Sequence, residues 1–154
     1  MGSVGDSIEV GTSSWTFGGN TANTFDSHVR KSVPLYEEGH DLICKLSEFF
    51  VVENSRVVDI GCSTGTLLRK LNANFQNKKS VRLQGIDIVK EMIDKCRELS
   101  VGCDIEYQES DPLSYEMNDS DLIISYYTLQ FIHPSVRQLV VENIYNSLRW
   151  GGAF

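Results

Sequence analysis

The sequence predicts an α/β sandwich, a mostly parallel sheet with helices on both faces. Three observations carry this expectation. Short apolar, β-branched runs alternate with segments of helical periodicity from about residue 36 to the end. The runs are nearly continuous in apolar residues, as strands covered on both faces must be. The first of them, Arg56–Ile60, enters a glycine-bearing loop and then a helix, the local pattern of a strand–turn–helix unit.

Taken in order, residues 1–24 are rich in Gly, Ser, Thr and Asn, and five of the twelve glycines lie in the first 19 positions. This segment cannot build much core alone and is expected to be a flexible lid, with Trp15, Phe17 and Phe25 as docking anchors. From Tyr36 to Phe50, Leu42, Ile43, Leu46, Phe49 and Phe50 recur at helical spacing, with Glu37, Glu38 and Asp41 favouring the helix start. After the strand Arg56–Ile60, a helix is expected from about Thr64 to Asn74, with Leu67, Leu68 and Leu71 on one face. Val81–Ile86 reads as the second strand, ending at Asp87. A helix from Lys90 to Leu99 follows, carrying Met92, Ile93 and Cys96. Asp104–Gln108 and Leu122–Tyr127 read as the third and fourth strands, the latter burying at least one of Tyr126 and Tyr127. Pro134 at a first helical position opens a long helix with Val136, Leu139, Val140, Ile144 and Leu148 inward. Trp150-Gly151-Gly152 reads as a turn before a fifth strand starting at Ala153.

Composition narrows the function. The chain has 154 residues, enough for one domain with its own core. Fourteen Lys plus Arg against 21 Asp plus Glu give a net charge of −7, which disfavours direct nucleic-acid binding. No apolar run approaches the ~18 residues of a membrane span. The N-terminus has no basic region followed by an apolar stretch, so no secretory signal is read. Cys44, Cys62, Cys96 and Cys103 form no C-x-x-C pair and, with His28, His40 and His133, no ligand set, so no metal site is expected and the thiols are read as reduced in a cytoplasmic protein. His40, at a helix start, is expected to be solvated, and His28 an exposed residue of the lid.

The chemistry concentrates in the loop Gly61-Cys62-Ser63-Thr64-Gly65. Gly61 permits the turn at the strand's carboxyl end and Gly65 lets the helix pack closely. Asp87 stands at the end of the next strand, 26 residues after Gly61, where an acid accepts hydrogen bonds from ribose hydroxyls. Asp111 follows the third strand. A glycine loop alone is a weak signal; joined to Asp87 and Asp111 it indicates a nucleotide-type ligand. The loop lacks the G-K-[ST] of a phosphate loop, and Ser63 stands where a second glycine would serve a dinucleotide. Cys62 has no apparent base partner and is read as a loop-filling residue.

Asp59-Ile60-Gly61-Cys62-Ser63-Thr64-Gly65 resembles the first motif of class I S-adenosylmethionine-dependent methyltransferases. Asp87, Asp111 and Trp150-Gly151-Gly152 fall where that family's later motifs fall. Ser32-Val33-Pro34-Leu35-Tyr36 and Tyr127-Thr128-Leu129-Gln130-Phe131 are similar to elements of the carboxy-S-adenosyl-L-methionine synthases within it. The resemblance spans roughly residues 25–154, taken as the cofactor-binding domain. It implies a Rossmann-like fold, lacking its final strands in this chain, and S-adenosyl-L-methionine as cofactor. It also implies contacts from Tyr36, Asp59, Gly61, Cys62, Ser63, Gly65, Asp87, Ile88, Asp111, Pro112 and Tyr126. Tyr126 occupies the place of a family asparagine. The resemblance names no catalytic residue here. It implies three readings. One is a synthase joining S-adenosylmethionine to the carboxylate of prephenate, for wobble-uridine modification of tRNA. The others are a methyltransferase on a small molecule or RNA, and a non-catalytic, truncated homologue. A homodimer that covers the edge beside the fifth strand is an accompanying expectation.

Overall fold

A computed structural model describes residues 9–11, 14–16 and 21–154. Strands β1 (Glu9–Gly11) and β2 (Ser14–Thr16) form a small antiparallel hairpin in which Val10 faces Trp15. Phe17, one of the expected anchors, lies outside the described residues. Helix α1 (Thr21–Ser32) follows and runs through residues 24 and 25 without a break. The sequence reading held no helix here, because the segment is polar and its single strong anchor, Phe25, sets no period.

The main sheet has five strands in the order β5-β4-β3-β6-β7, every pair parallel. They are β3 (Arg56–Ile60), β4 (Arg82–Asp87), β5 (Ile105–Glu109), β6 (Ser120–Ile124) and β7 (Leu148–Ala153). Between them run α2 (Tyr36–Ser47, ahead of β3), α3 (Thr66–Asn74), α4 (Lys90–Leu99) and α5 (Pro134–Ser147). Alternation along β3 builds two cores. Val57 faces Leu67, Leu68, Leu71, Ile93 and Cys96 of α3 and α4, with Cys44 of α2, while Val58 and Ile60 face Val140 and Ile144 of α5 with Met117. From β3 the chain steps outward through β4 to β5, then returns to the other side of β3 as β6. That reversal between β3 and β6 opens a crevice at the strands' carboxyl ends, where open α/β sheets bind ligands.

Several local expectations are corrected. In α2 the buried stripe is His40, Cys44 and Ser47, whereas Leu42, Leu46 and Phe49 are exposed. The face with the more polar sequence turns inward because it meets the crevice and α3. His40 is therefore not solvated; it is 2% exposed. Leu139 of α5 is exposed, and the inward positions are Val140, Ile144 and Ser147. Strand β6 stops at Ile124, so Tyr126 is only half-buried, packed against the edge of the core, and Tyr127 is exposed. Trp150-Gly151-Gly152 is no turn. It lies inside β7, whose register against β6 shifts between Ser120 and Leu122, with Gly151 at φ 83.

Candidate active site

The crevice is a cavity of about 850 Å³. Ten of the eleven residues singled out above line it: Tyr36, Asp59, Gly61, Cys62, Ser63, Asp87, Ile88, Asp111, Pro112 and Tyr126. Gly65 does not. It lies behind the loop, where a Cβ would come within 2.5 Å of the Tyr107 hydroxyl and 3.1 Å of the Cys96 sulfur. Its φ of 76 also suits glycine, so its work is close packing of α3 on the sheet.

The loop is fixed from three sides. The Gly61 and Cys62 amides donate to the Ile86 carbonyl at 2.8 and 3.0 Å, tying the loop to β4. Ser63 takes the left-handed backbone (φ 50) and its amide donates to Asp87 Oδ2 at 3.0 Å. The Cys96 thiol donates to the Ser63 carbonyl at 2.9 Å. Cys62 is buried with its sulfur 3.9 Å from that of Cys96. The Cys96 contact and burial push its thiol well up, so it is held as an un-ionised filler rather than a nucleophile.

Asp87 accepts a second amide, from Val89, on Oδ1 at 2.9 Å. Each carboxylate oxygen thus spends one lone pair on the backbone and keeps another for a ligand. Burial raises the Asp87 pKa, against the amides that favour its charged form. Asp59, at the core end of β3, is 3% exposed, and burial together with the Asp87 charge pushes it up to about 8. Beyond Asp87, Ile88 is 67% exposed yet lines the cavity, an apolar side chain left open at its mouth. Asp111 accepts the Leu113 amide at 2.7 Å, which orders the turn that presents Pro112. A ribose diol on Asp87, with a flat base between Ile88 and Pro112, is what this donor and acceptor set suits.

On the opposite wall Tyr36 and Tyr126 were expected contacts and Phe25 an expected anchor, whereas helix α1 and the inward His40 were missed by sequence reasoning. Phe25, Val29 and Ser32 of α1 line the cavity, so α1 roofs it. Asp26 of the same helix accepts from the Thr64 hydroxyl at 2.6 Å and from Thr66 at 3.3 Å, which pins the roof to the glycine loop. Tyr126 and Tyr127 reach the α1–α2 corner, donating to the Leu35 carbonyl at 3.3 Å and the Pro34 carbonyl at 3.4 Å. Leu35 itself sits at φ 58, in the left-handed region. Tyr36 packs against the His40 and Tyr126 rings, and burial with the nearby Asp59 charge raises its hydroxyl pKa. Among described residues the only Lys or Arg lining the cavity is Lys90, two residues past Ile88. For His40 the available signal was the glycine that precedes it inside α2.

Among the described residues no helix is long and apolar enough to cross a membrane. Comparison with known proteins places this geometry. Residues 57–152 match the family described as methyltransferase domain. The carboxy-S-adenosyl-L-methionine synthase of Campylobacter lari is 35% identical over 140 residues, covering 90% of this chain and 58% of that protein. The one from Sulfurimonas denitrificans is 37% identical over 144 residues, covering 90% and 59%. The chain thus spans less than two thirds of the length of these relatives. Among solved structures, the plantazolicin methyltransferase BpumL in complex with SAH matches with a TM-score of 0.65 at 15% identity, covering 84% of this chain and 49% of that one. A TehB-like SAM-dependent methyltransferase from Corynebacterium glutamicum matches with a TM-score of 0.62 at 19% identity, covering 86% and 70%. The five-stranded parallel sheet is therefore Rossmann-like, and the chain belongs to the methyltransferase domain family, a superfamily of transferases whose cofactor is S-adenosyl-L-methionine.

Proposed function

We propose that this chain carries the S-adenosylmethionine-binding part of a carboxy-S-adenosyl-L-methionine synthase: the sulfonium methyl loses a proton and takes the ring carboxyl of prephenate, whose ring hydroxyl leaves with that proton as water while the ring aromatises to phenylpyruvate. The observation that carries the reading is the kinship to those synthases across 90% of the chain, which includes the whole crevice. Bound S-adenosylmethionine supplies an activated methyl on a sulfonium. The chain's own residues position and enclose it. Asp87 holds the ribose, Ile88 and Pro112 flank the base, and Asp111 stands at its edge. Gly61, Cys62 and Ser63 face the ribose and methionine side. Tyr36 and Tyr126 close the cavity from α2 and the end of β6, and α1 keeps out water. The product would serve wobble-uridine modification of tRNA in the cytoplasm, and a homodimer would cover the edge at β7.

The missing counter-charge favours a second reading. No described Lys or Arg faces the half of the cavity remote from Lys90, so a dianionic substrate has no partner there. An uncharged small-molecule methyl acceptor fits that wall directly. Incubation with S-adenosylmethionine and prephenate carrying isotope in its ring carboxylate, followed by mass spectrometry, decides between them. Label in a carboxylated S-adenosylmethionine supports the synthase. S-adenosylmethionine binding with no labelled product contradicts it and leaves methyl transfer.

A further inference from the structure

The wall formed by α2 holds a polar atom that no described residue pairs. His40 lines the cavity, is 2% exposed, and among the described residues its Nδ1 has no hydrogen-bond partner. A buried polar group without a partner forfeits its hydration, and folded proteins seldom keep one without a use. The surroundings of His40 are aromatic. Its ring centroid lies 4.4 Å from that of Tyr36 and 5.4 Å from that of Tyr126, and Tyr127 meets Tyr126 edge-on at 4.6 Å.

Helix α2 is shaped for this cluster. Gly39 sits in its interior, where glycine is less stable than alanine. A Cβ on Gly39 would overlap the Tyr126 hydroxyl, so the glycine is what lets Tyr126 lie across α2 beside His40. The Tyr126 hydroxyl is held by a long 3.3 Å bond to the Leu35 carbonyl, and its ring can yield to a ligand.

Burial, with the Lys70 ammonium adding to it, holds the His40 imidazole down to about 4, so the ring is neutral at pH 7. The Glu37 and Asp41 carboxylates that face it act the other way but are paired with Lys70 at 2.8 Å each. A neutral imidazole accepts at Nδ1 in one tautomer and donates in the other. A hydroxyl satisfies either. Among the described residues that line the cavity, Phe25, Val29 and Phe131 add apolar surface, and the one cation is Lys90, two residues past Ile88.

We propose that Tyr36, His40 and Tyr126 form the subsite for the hydroxyl-bearing ring of the second substrate, with the hydroxyl on His40 Nδ1 and the ring against the two tyrosines. This rests on the proposed function only in placing a second substrate in the same cavity as the cofactor.

Phenol and toluene are near-isosteres that differ by the hydroxyl, and they are the probes. With S-adenosylmethionine present, each is titrated into protein carrying nitrogen-15 histidine. Phenol is expected to shift the His40 Nδ1 resonance and to bind about 3–10-fold tighter than toluene, the worth of one neutral hydrogen bond. In His40→Phe, which keeps the ring and loses Nδ1, the ratio is expected to fall to one. His40→Asn, which restores a polar group near that position, is expected to regain part of it. Equal binding of the two probes to the unaltered protein, or an Nδ1 resonance that ignores phenol, means that water satisfies His40 and overturns the subsite. That nitrogen measurement decides even if the variants fail to fold. A preference for phenol without prephenate turnover overturns the proposed reaction alone; turnover without the preference overturns the subsite alone.

Discussion

The two walls of the cavity are built by different means. The nucleotide wall, at the carboxyl ends of β3, β4 and β5, is backbone geometry plus two acids. Loop amides bond to the Ile86 carbonyl, Ser63 and Val89 amides bond to Asp87, and Gly65 sits under Tyr107. The capping wall, from α1, α2 and the end of β6, is side chains from segments far apart in the chain. Asp26 reaches Thr64, and Tyr126 and Tyr127 reach Leu35 and Pro34 across more than ninety residues. A wall made of backbone carries its instructions locally, in glycines and in an acid at a strand end. A wall made of distant side chains carries them only in the fold. In the proposed function the first holds the cofactor and the second meets the second substrate.

The largest expected effect tests the seam between the walls. Asp59 has an ordinary pKa of 3.8 and is pushed up to about 8 in the folded protein. The unfolded chain therefore releases its proton first, and this group costs stability progressively as pH rises from about 4 to 8. Asp59→Asn removes that dependence. The gap in stability between variant and parent should move in the variant's favour by a few kcal/mol across this range, since each pH unit is worth up to about 1.4 kcal/mol. His40, lowered to about 4, weakens the fold as pH falls below about 6.5, but it does so in both proteins and cancels in the difference. Urea melts of both at several pH values measure it, and a pH-independent gap would mean that Asp59 is ionised in the crevice.

Next in size is Gly65→Ala. A left-handed backbone costs a non-glycine residue about 1–2 kcal/mol, and crowding against Tyr107 adds roughly 1–3. A loss of about 2–4 kcal/mol in denaturant unfolding is expected, and a neutral result would show that the nucleotide wall is softer than its hydrogen bonds indicate. Asp26→Ala is smaller, about 1–2 kcal/mol for the bonds to Thr64 and Thr66. It sharpens the comparison because it should also weaken S-adenosylmethionine binding several-fold by loosening the roof. Lost stability with unchanged affinity would mean that α1 braces the loop and takes no part in enclosing the ligand.

The same division explains what the sequence revealed. Strand runs, the glycine loop, Asp87 and Asp111 were legible because each is a local signal with a local cause. Helix α1 was not, because its partners lie in the loop at Thr64 and along the cavity, so its own periodicity is weak. The inward face of α2 was misread because apolar spacing marks Leu42 and Leu46, while the crevice selects His40, Cys44 and Ser47. Tyr126 and Tyr127 followed an apolar run and were counted into the strand, although β6 ends at Ile124 so that both can turn toward the cap. The glycines of β7 looked like a turn because a bulge uses the same left-handed residue.

The central claim is that Asp87 and the loop after β3 form the S-adenosylmethionine site within this chain. Calorimetric titration of the 154-residue protein and its Asp87→Ala variant with S-adenosylmethionine tests it most directly. Saturable micromolar binding, weakened roughly 10–100-fold or more in the variant, is the expected result, as for the loss of hydrogen bonds to a charged group. Equal affinity in the two proteins would contradict the placement of the ribose and, with it, this account of the crevice.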